Sequence, residues 1–170
     1  MEDGKARVGK ALTPDVFKGV LGRFATGVSV MSTAVDGAWH GMTANAVASV
    51  SLDPPLVLVC VERSARMAGQ VVAAGVFALS FLPAGRADLS TWFADPGRSG
   101  EEQFAGLVTF EAATGAPVLA EAVGWVDCRV WASYDGGDHL IVVGEVIDLD
   151  TGTAADPLVY YRSIYGRFTT

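Results

Sequence analysis

The side chains best placed to do chemistry in this chain fall into three groups. The stretch GMTANAVASVSLDPP (41–55) sets Thr43, Asn45, Ser49 and Ser51 among small apolar residues, with no charge before Asp53. The ordinary use of such hydroxyls and amides is to satisfy local backbone in a turn or β-bulge. The second group, Arg63-Ser64-Ala65-Arg66, lies where a strand-forming run gives way to a helical pattern. The free N–H groups and dipole of a helix start favour an anion there, and a serine cap beside two solvated arginines accounts for the same letters. The third group is Gly137-Asp138-His139 with the aromatic, basic C-terminus that carries Tyr165, Arg167 and Phe168.

Much chemistry is missing from the sequence. No strand leads into GxGxxG, and GxxxxGK[ST] and GxSxG do not occur, which removes the dinucleotide-binding Rossmann unit, the P-loop and the hydrolase elbow. His40 and His139 lie far apart and show no metal-ligand spacing with Cys60 or Cys128. No side chain is marked as a nucleophile, an acid or a base, so difficult chemistry falls to a cofactor.

The elements that must position these groups read as one domain, 13–170, after a polar tail, 1–12. Thr13 and Pro14 open a helix over 13–24 with Val16, Phe17, Val20, Leu21 and Phe24 on one face. GVSVMSTAV, Asp36-Gly37 and AWHGMTAN form a hairpin, and LVLVCV after Asp53-Pro54-Pro55 suits a strand buried on both faces. Ser64 opens a second helix that Gly75 closes, and VFALSFL is a strand. Short helices anchored by Trp92, Phe93 and Phe104 fill 86–106, and a long hairpin turns at Asp135-Gly136-Gly137-Asp138. Many strands without βαβ alternation predict a mostly β protein, an antiparallel barrel with a few short flanking helices. A net charge of −7 with no basic run argues against nucleic acid, and no stretch is long and apolar enough for a membrane helix. The tail has no signal-peptide core, and two buried reduced thiols, Cys60 and Cys128, fit a cytoplasmic protein.

Together, FATGVSVMST (24–33), GMTANAVASVSLDPP, GDH (137–139) and DPLVYY (156–161) resemble, in order and spacing, the short-chain flavin reductases that serve two-component flavin-dependent monooxygenases. The resemblance implies an FMN-binding split barrel, usually a homodimer. It implies NADH, less readily NADPH, as donor, FMN or FAD as acceptor, and a partner monooxygenase that receives the reduced flavin. It places Thr43, Ala44, Asn45 and Ala46 against the flavin ring and Ser49, Val50 and Ser51 near the ring edge or ribityl chain. Ser64 and Arg66 fall at the phosphate, Phe104 beside the flavin, and His139, Tyr165, Arg167 and Phe168 toward the nicotinamide nucleotide. Two alternatives keep the fold: a flavoprotein that retains FMN to reduce a dedicated substrate, and a non-catalytic flavin binder. The chain departs from its relatives at Ala46, where many carry serine, at Ser80, where an asparagine is common, and at Gln103, where many carry lysine.

Overall fold

The computed structural model describes residues 11–98, 100–152 and 155–168, so most of the expected tail lies outside the described residues. Helix α1 (Pro14–Leu21) starts where the Thr13 hydroxyl accepts the Val16 N–H, and ends at Gly22, whose N–H returns to the Lys18 carbonyl. Phe17, Val20, Leu21 and the following Phe24 are each half or more exposed, so the helix's apolar face is not used on this chain's own core.

The short β1 (Thr26–Gly27) precedes the hairpin of β2 (Ser29–Val35) and β3 (Ala38–Ala44). That hairpin turns at Asp36 and Gly37, whose φ values of 51° and 79° suit the right-handed twist of the strands. There follow β4 (Val47–Leu52), β5 (Pro55–Glu62), α2 (Arg66–Ala74) and β6 (Val76–Phe81). Helices α3 (Ala87–Ala94) and α4 (Gly100–Phe104) lead into the short pair β7 (Thr109–Glu111) and β8 (Pro117–Leu119). The long hairpin β9 (Gly124–Gly136) and β10 (His139–Asp150) comes next, then β11 (Leu158–Tyr161) and β12 (Ile164–Arg167).

Seven strands pair antiparallel in the order β3-β2-β6-β9-β10-β5-β4. Strands β3 and β4 lie at opposite edges of this sheet, yet only Asn45 and Ala46 join them. Such a short link forces the two edges together, so the sheet curls into a barrel split along one seam. Inside it lie Met31, Val59, Val61, Phe77, Leu79 and Val142, with Met67 and Val71 of α2 inserted among them. A second core of Val30, Leu82, Leu89, Phe93, Phe104 and Leu158 lies beneath α3 and α4, which makes Phe93 and Phe104 the expected anchors.

Four expectations change. Strand β5 is sealed only at Val59 and Val61 and is half-exposed elsewhere along its apolar run, because its outer neighbour β4 is an edge strand. Helix α2 is preceded by Ala65 as its extended cap, with no side-chain cap bond, so Ser64 does not open it. Cys60 is only half-buried, whereas Cys128 is sealed and its thiol is pushed up to about 12 by burial and then by Asp127. The C-terminal run is a hairpin turned at Arg162 and Ser163 that adds to β1 in a three-stranded sheet, a pairing the sequence did not announce.

Candidate functional site

The seam opens into a cleft of about 670 Å³, within the range of small-ligand and cofactor sites. Its walls come from β3 and the crossover Thr43–Ala46, from Cys60 and Glu62 on β5, and from Ser64–Met67 at the start of α2. The segment after α3, Gln103 of α4 and His139 of β10 close the remaining sides. His139 reaches the cleft because β10 pairs with β5 in a register that sets it opposite Glu62.

The structure brings together Thr43, Ala44, Asn45, Ala46, Ser64, Arg66 and His139, seven of the residues expected at the site. Thr43 gives its hydroxyl proton to the Ser90 carbonyl at 2.6 Å, so the cleft meets its backbone rather than a free hydroxyl. Ala44 is buried, and its carbonyl accepts from Ser29 Oγ at 2.8 Å. Asn45 is exposed, with Nδ2 only 3.4 Å from Thr26 Oγ1, so its amide is weakly committed. Ser64 donates to Glu62 Oε1 at 2.6 Å, and its hydroxyl must rotate before it can donate to an anion. Among the described residues the Arg66 guanidinium makes a single long contact, 3.5 Å, to the Arg98 carbonyl. His139 Nδ1 lies 2.7 Å from Asp138 Oδ1, and that hydrogen bond, with the imidazole's charge, holds the Asp138 carboxyl below its ordinary range.

Other expected residues lie elsewhere. Ser49, Val50 and Ser51 sit at a register shift on β4, where the chain has already crossed the seam, and none lines the cleft. Phe104 is buried in the second core, its ring 5.1 Å from Phe93 and 5.6 Å from Trp39, and its neighbour Gln103 faces the cleft instead. Tyr165 packs at a tilt against Tyr160 and its hydroxyl meets Ser90 Oγ at 2.9 Å, touching the cleft through the residue that holds Thr43. Arg167 and Phe168 are exposed on the C-terminal sheet and its continuation, away from the cleft walls.

The sequence passed over two residues that the fold makes prominent. His40, set aside for want of metal-ligand spacing, lines the cleft while 8% exposed, and its sealed Nδ1 has no hydrogen-bond partner among the described residues. Burial, and then the Arg66 charge, hold His40 below the ordinary imidazole range, so it is neutral at pH 7. Gln103 was marked only by the lysine it lacks, yet both ends of its carboxamide bond Gly41 of β3. Neither role has a local sequence signal, since each depends on which strand edge lies opposite.

A flavin nucleotide needs a close backbone, small walls, and donors for an anionic end. The Thr43–Ala46 crossover supplies the first two, and the start of α2, uncapped by any side chain and carrying Arg66, supplies the third. Among the described residues no group of three or more acidic, histidine or cysteine side chains is arranged to hold a metal. The flavin reductase-like domain family matches residues 21–169, nearly the whole barrel. The chain belongs to that family. A reductase component of a 4-nitrophenol and 4-nitrocatechol monooxygenase from Rhodococcus opacus is 37% identical over 164 residues, covering 96% of this chain and 86% of that protein. The flavin reductase component of a bacterial two-component tryptophan halogenase superposes with a TM-score of 0.87 at 37% identity, covering 93% of this chain and 99% of the other. The NADH:FAD oxidoreductase of Streptomyces globisporus, solved with NAD and FAD fragments, gives a TM-score of 0.86 at 35% identity, covering 95% and 98%. This flavin reductase-family chain therefore shares its barrel with proteins whose names record both nucleotides.

Proposed function

We propose that the chain is an NAD(P)H-dependent flavin reductase that moves a hydride from NADH to FMN or FAD and releases the reduced flavin to a partner monooxygenase. The observation that carries the reading is the cleft itself, where the small, uncharged crossover Thr43–Ala46 adjoins an uncapped helix start bearing Arg66. A bound flavin supplies the hydride acceptor, so the protein's task is orientation rather than proton transfer.

In this reading the crossover backbone holds the ring's polar edge and limits its depth in the cleft. Arg66 and the first N–H groups of α2 hold the phosphate, with Ser64 joining when its hydroxyl turns away from Glu62. His139, held by Asp138 on the β10 wall of the cleft, meets the nicotinamide nucleotide. Polar groups around the ring stabilise the negative charge that grows there on reduction. NADH is favoured over NADPH because Arg66 is already engaged with the flavin phosphate.

The active protein is a homodimer in this reading. The exposed apolar face of α1, with Ile164 and Phe168 beyond it, is more apolar surface than a lone chain ordinarily leaves in water. A cytoplasmic setting belongs to the same reading, with Cys60 and Cys128 as free thiols. The test is to follow nicotinamide absorbance on mixing the protein with NADH and FMN or FAD. Flavin-dependent oxidation is expected, and none with either flavin would overturn the proposal.

A further inference from the structure

Strand β3 is the unpaired edge of the barrel sheet, so every second residue turns its N–H and C=O outward, away from β2. Gly41 shows which residues these are. Its N–H donates to Gln103 Oε1 at 3.0 Å, and its C=O accepts from Gln103 Nε2 at 2.9 Å. Both of its groups therefore point away from β2, and Gly41 faces Ser32 as a non-hydrogen-bonded pair. The β2–β3 register runs without a shift, so Trp39 and Thr43 present their N–H and C=O to the same open edge.

These three edge positions have different fates. At Trp39, Gly100 packs so closely that a Cβ there would overlap the Trp39 carbonyl. At Gly41, the carboxamide of Gln103, only 2% exposed, completes the edge as a neighbouring strand would. Thr43 follows, lining the cleft with its side-chain proton already given to Ser90. Its outward N–H and C=O form the same donor–acceptor pair that Gly41 presents. The group that matches such a pair is a cis-amide, as the Gln103 carboxamide itself demonstrates.

We propose that Gln103 is a positioning residue: by filling the Gly41 position of the open edge, it leaves Thr43 as the place where the lactam edge of a ring ligand pairs with β3. The flavin ring carries such an edge, an N–H flanked by two carbonyls, and the proposal rests on the flavin reading. Gln103 thus sets the register of the ring along β3 by taking the Gly41 position one pairing step away. A lysine at this position would have no acceptor for the Gly41 N–H, so this way of closing the edge needs the glutamine.

The test compares FMN with 3-methyl-FMN, whose N3–H is replaced, by quenching of flavin fluorescence on the native protein. Loss of one hydrogen bond predicts about tenfold weaker binding of the methylated flavin. Equal binding of the two would overturn the pairing at Thr43. Failure of the native protein to bind FMN at all would instead overturn the flavin reading, and this proposal with it. Gln103→Ala removes both bonds and the side-chain volume, opening the Gly41 position. It is expected to hold FMN within about threefold of the native affinity while turnover with NADH falls about tenfold, because part of the bound flavin sits out of register. Native turnover in Gln103→Ala would overturn the positioning role. If that variant does not fold, Gln103→Glu, which keeps the acceptor and loses the donor, is read by the same two measurements.

Discussion

Gly41→Ala is the perturbation whose consequence can be worked most directly from the structure. A Cβ built at Gly41 lies 2.5 Å and 2.6 Å from the Phe93 ring and 3.0 Å from the Phe104 ring. Ordinary carbon–carbon contact needs about 3.5–4.0 Å, so one ring must retreat by roughly an ångström. Neither has room: Phe93 is 2% exposed and Phe104 6% exposed, and Trp39 meets Phe104 edge-on. Overpacking a filled core by one methyl costs about 1–3 kcal/mol, or on the order of 5 °C in Tm for a domain of this size. The retreat also pulls on the Gln103 bonds, because Gly41 is their only partner on β3. Gly69→Ala is the control, a helical glycine of α2 with nothing within 4 Å of its Cβ position. It is expected to raise stability by about 0.5–1 kcal/mol, since alanine is the better helix former. Urea unfolding of both variants checks the pair. Equal stability of Gly41→Ala and the native protein would refute the packing argument, and Phe93→Leu added to Gly41→Ala should recover part of the loss.

Further expectations concern binding, pH and assembly. Asn45→Ala and Ser64→Ala should each weaken flavin binding severalfold without lowering Tm, read by fluorescence titration and thermal melts; unchanged affinity in both would remove the crossover and the helix start from the site. His139→Ala should raise KM for NADH with little effect on flavin affinity, and unchanged nicotinamide kinetics would count against its assignment. Asp127 is fully buried, and its carboxylate accepts the Thr114 N–H and hydroxyl at 2.7 Å and 2.5 Å. Burial raises its folded-state value above the unfolded one, outweighing the Thr114 bonds, so the folded state takes up the proton first as pH falls. Its contribution to stability therefore grows on acidification from the raised value toward the ordinary carboxylate range and is constant below it. In Asp127→Asn that part of the slope in urea midpoint against pH should vanish; an unchanged slope would refute the assignment. Phe17→Glu in the exposed face of α1 should shift the protein toward monomer in sedimentation, and an unaltered mass would place the interface elsewhere.

The sequence alone determined what local chemistry determines. Thr13 and Pro14 start a helix, Asp36-Gly37 turns a hairpin, and Gly75 stops α2 with a φ of 67° because few other residues adopt that conformation cheaply. Small residues at 43–46 marked the cleft wall, since a close backbone needs side chains of that size wherever the fold puts it. Tertiary structure decided everything that depends on which edges meet. Curling the sheet brought β3 to the seam, carried Ser49, Val50 and Ser51 past it onto the far edge, and turned Phe104 into the second core and Gln103 toward the buried edge of β3. The same curl sealed His40 beside Arg66, where burial sets its charge, a property no spacing of letters encodes. The physical reason is that hydrogen-bond partners and burial are set by the register between strands distant in sequence. Turns and caps are set by neighbours a few residues away.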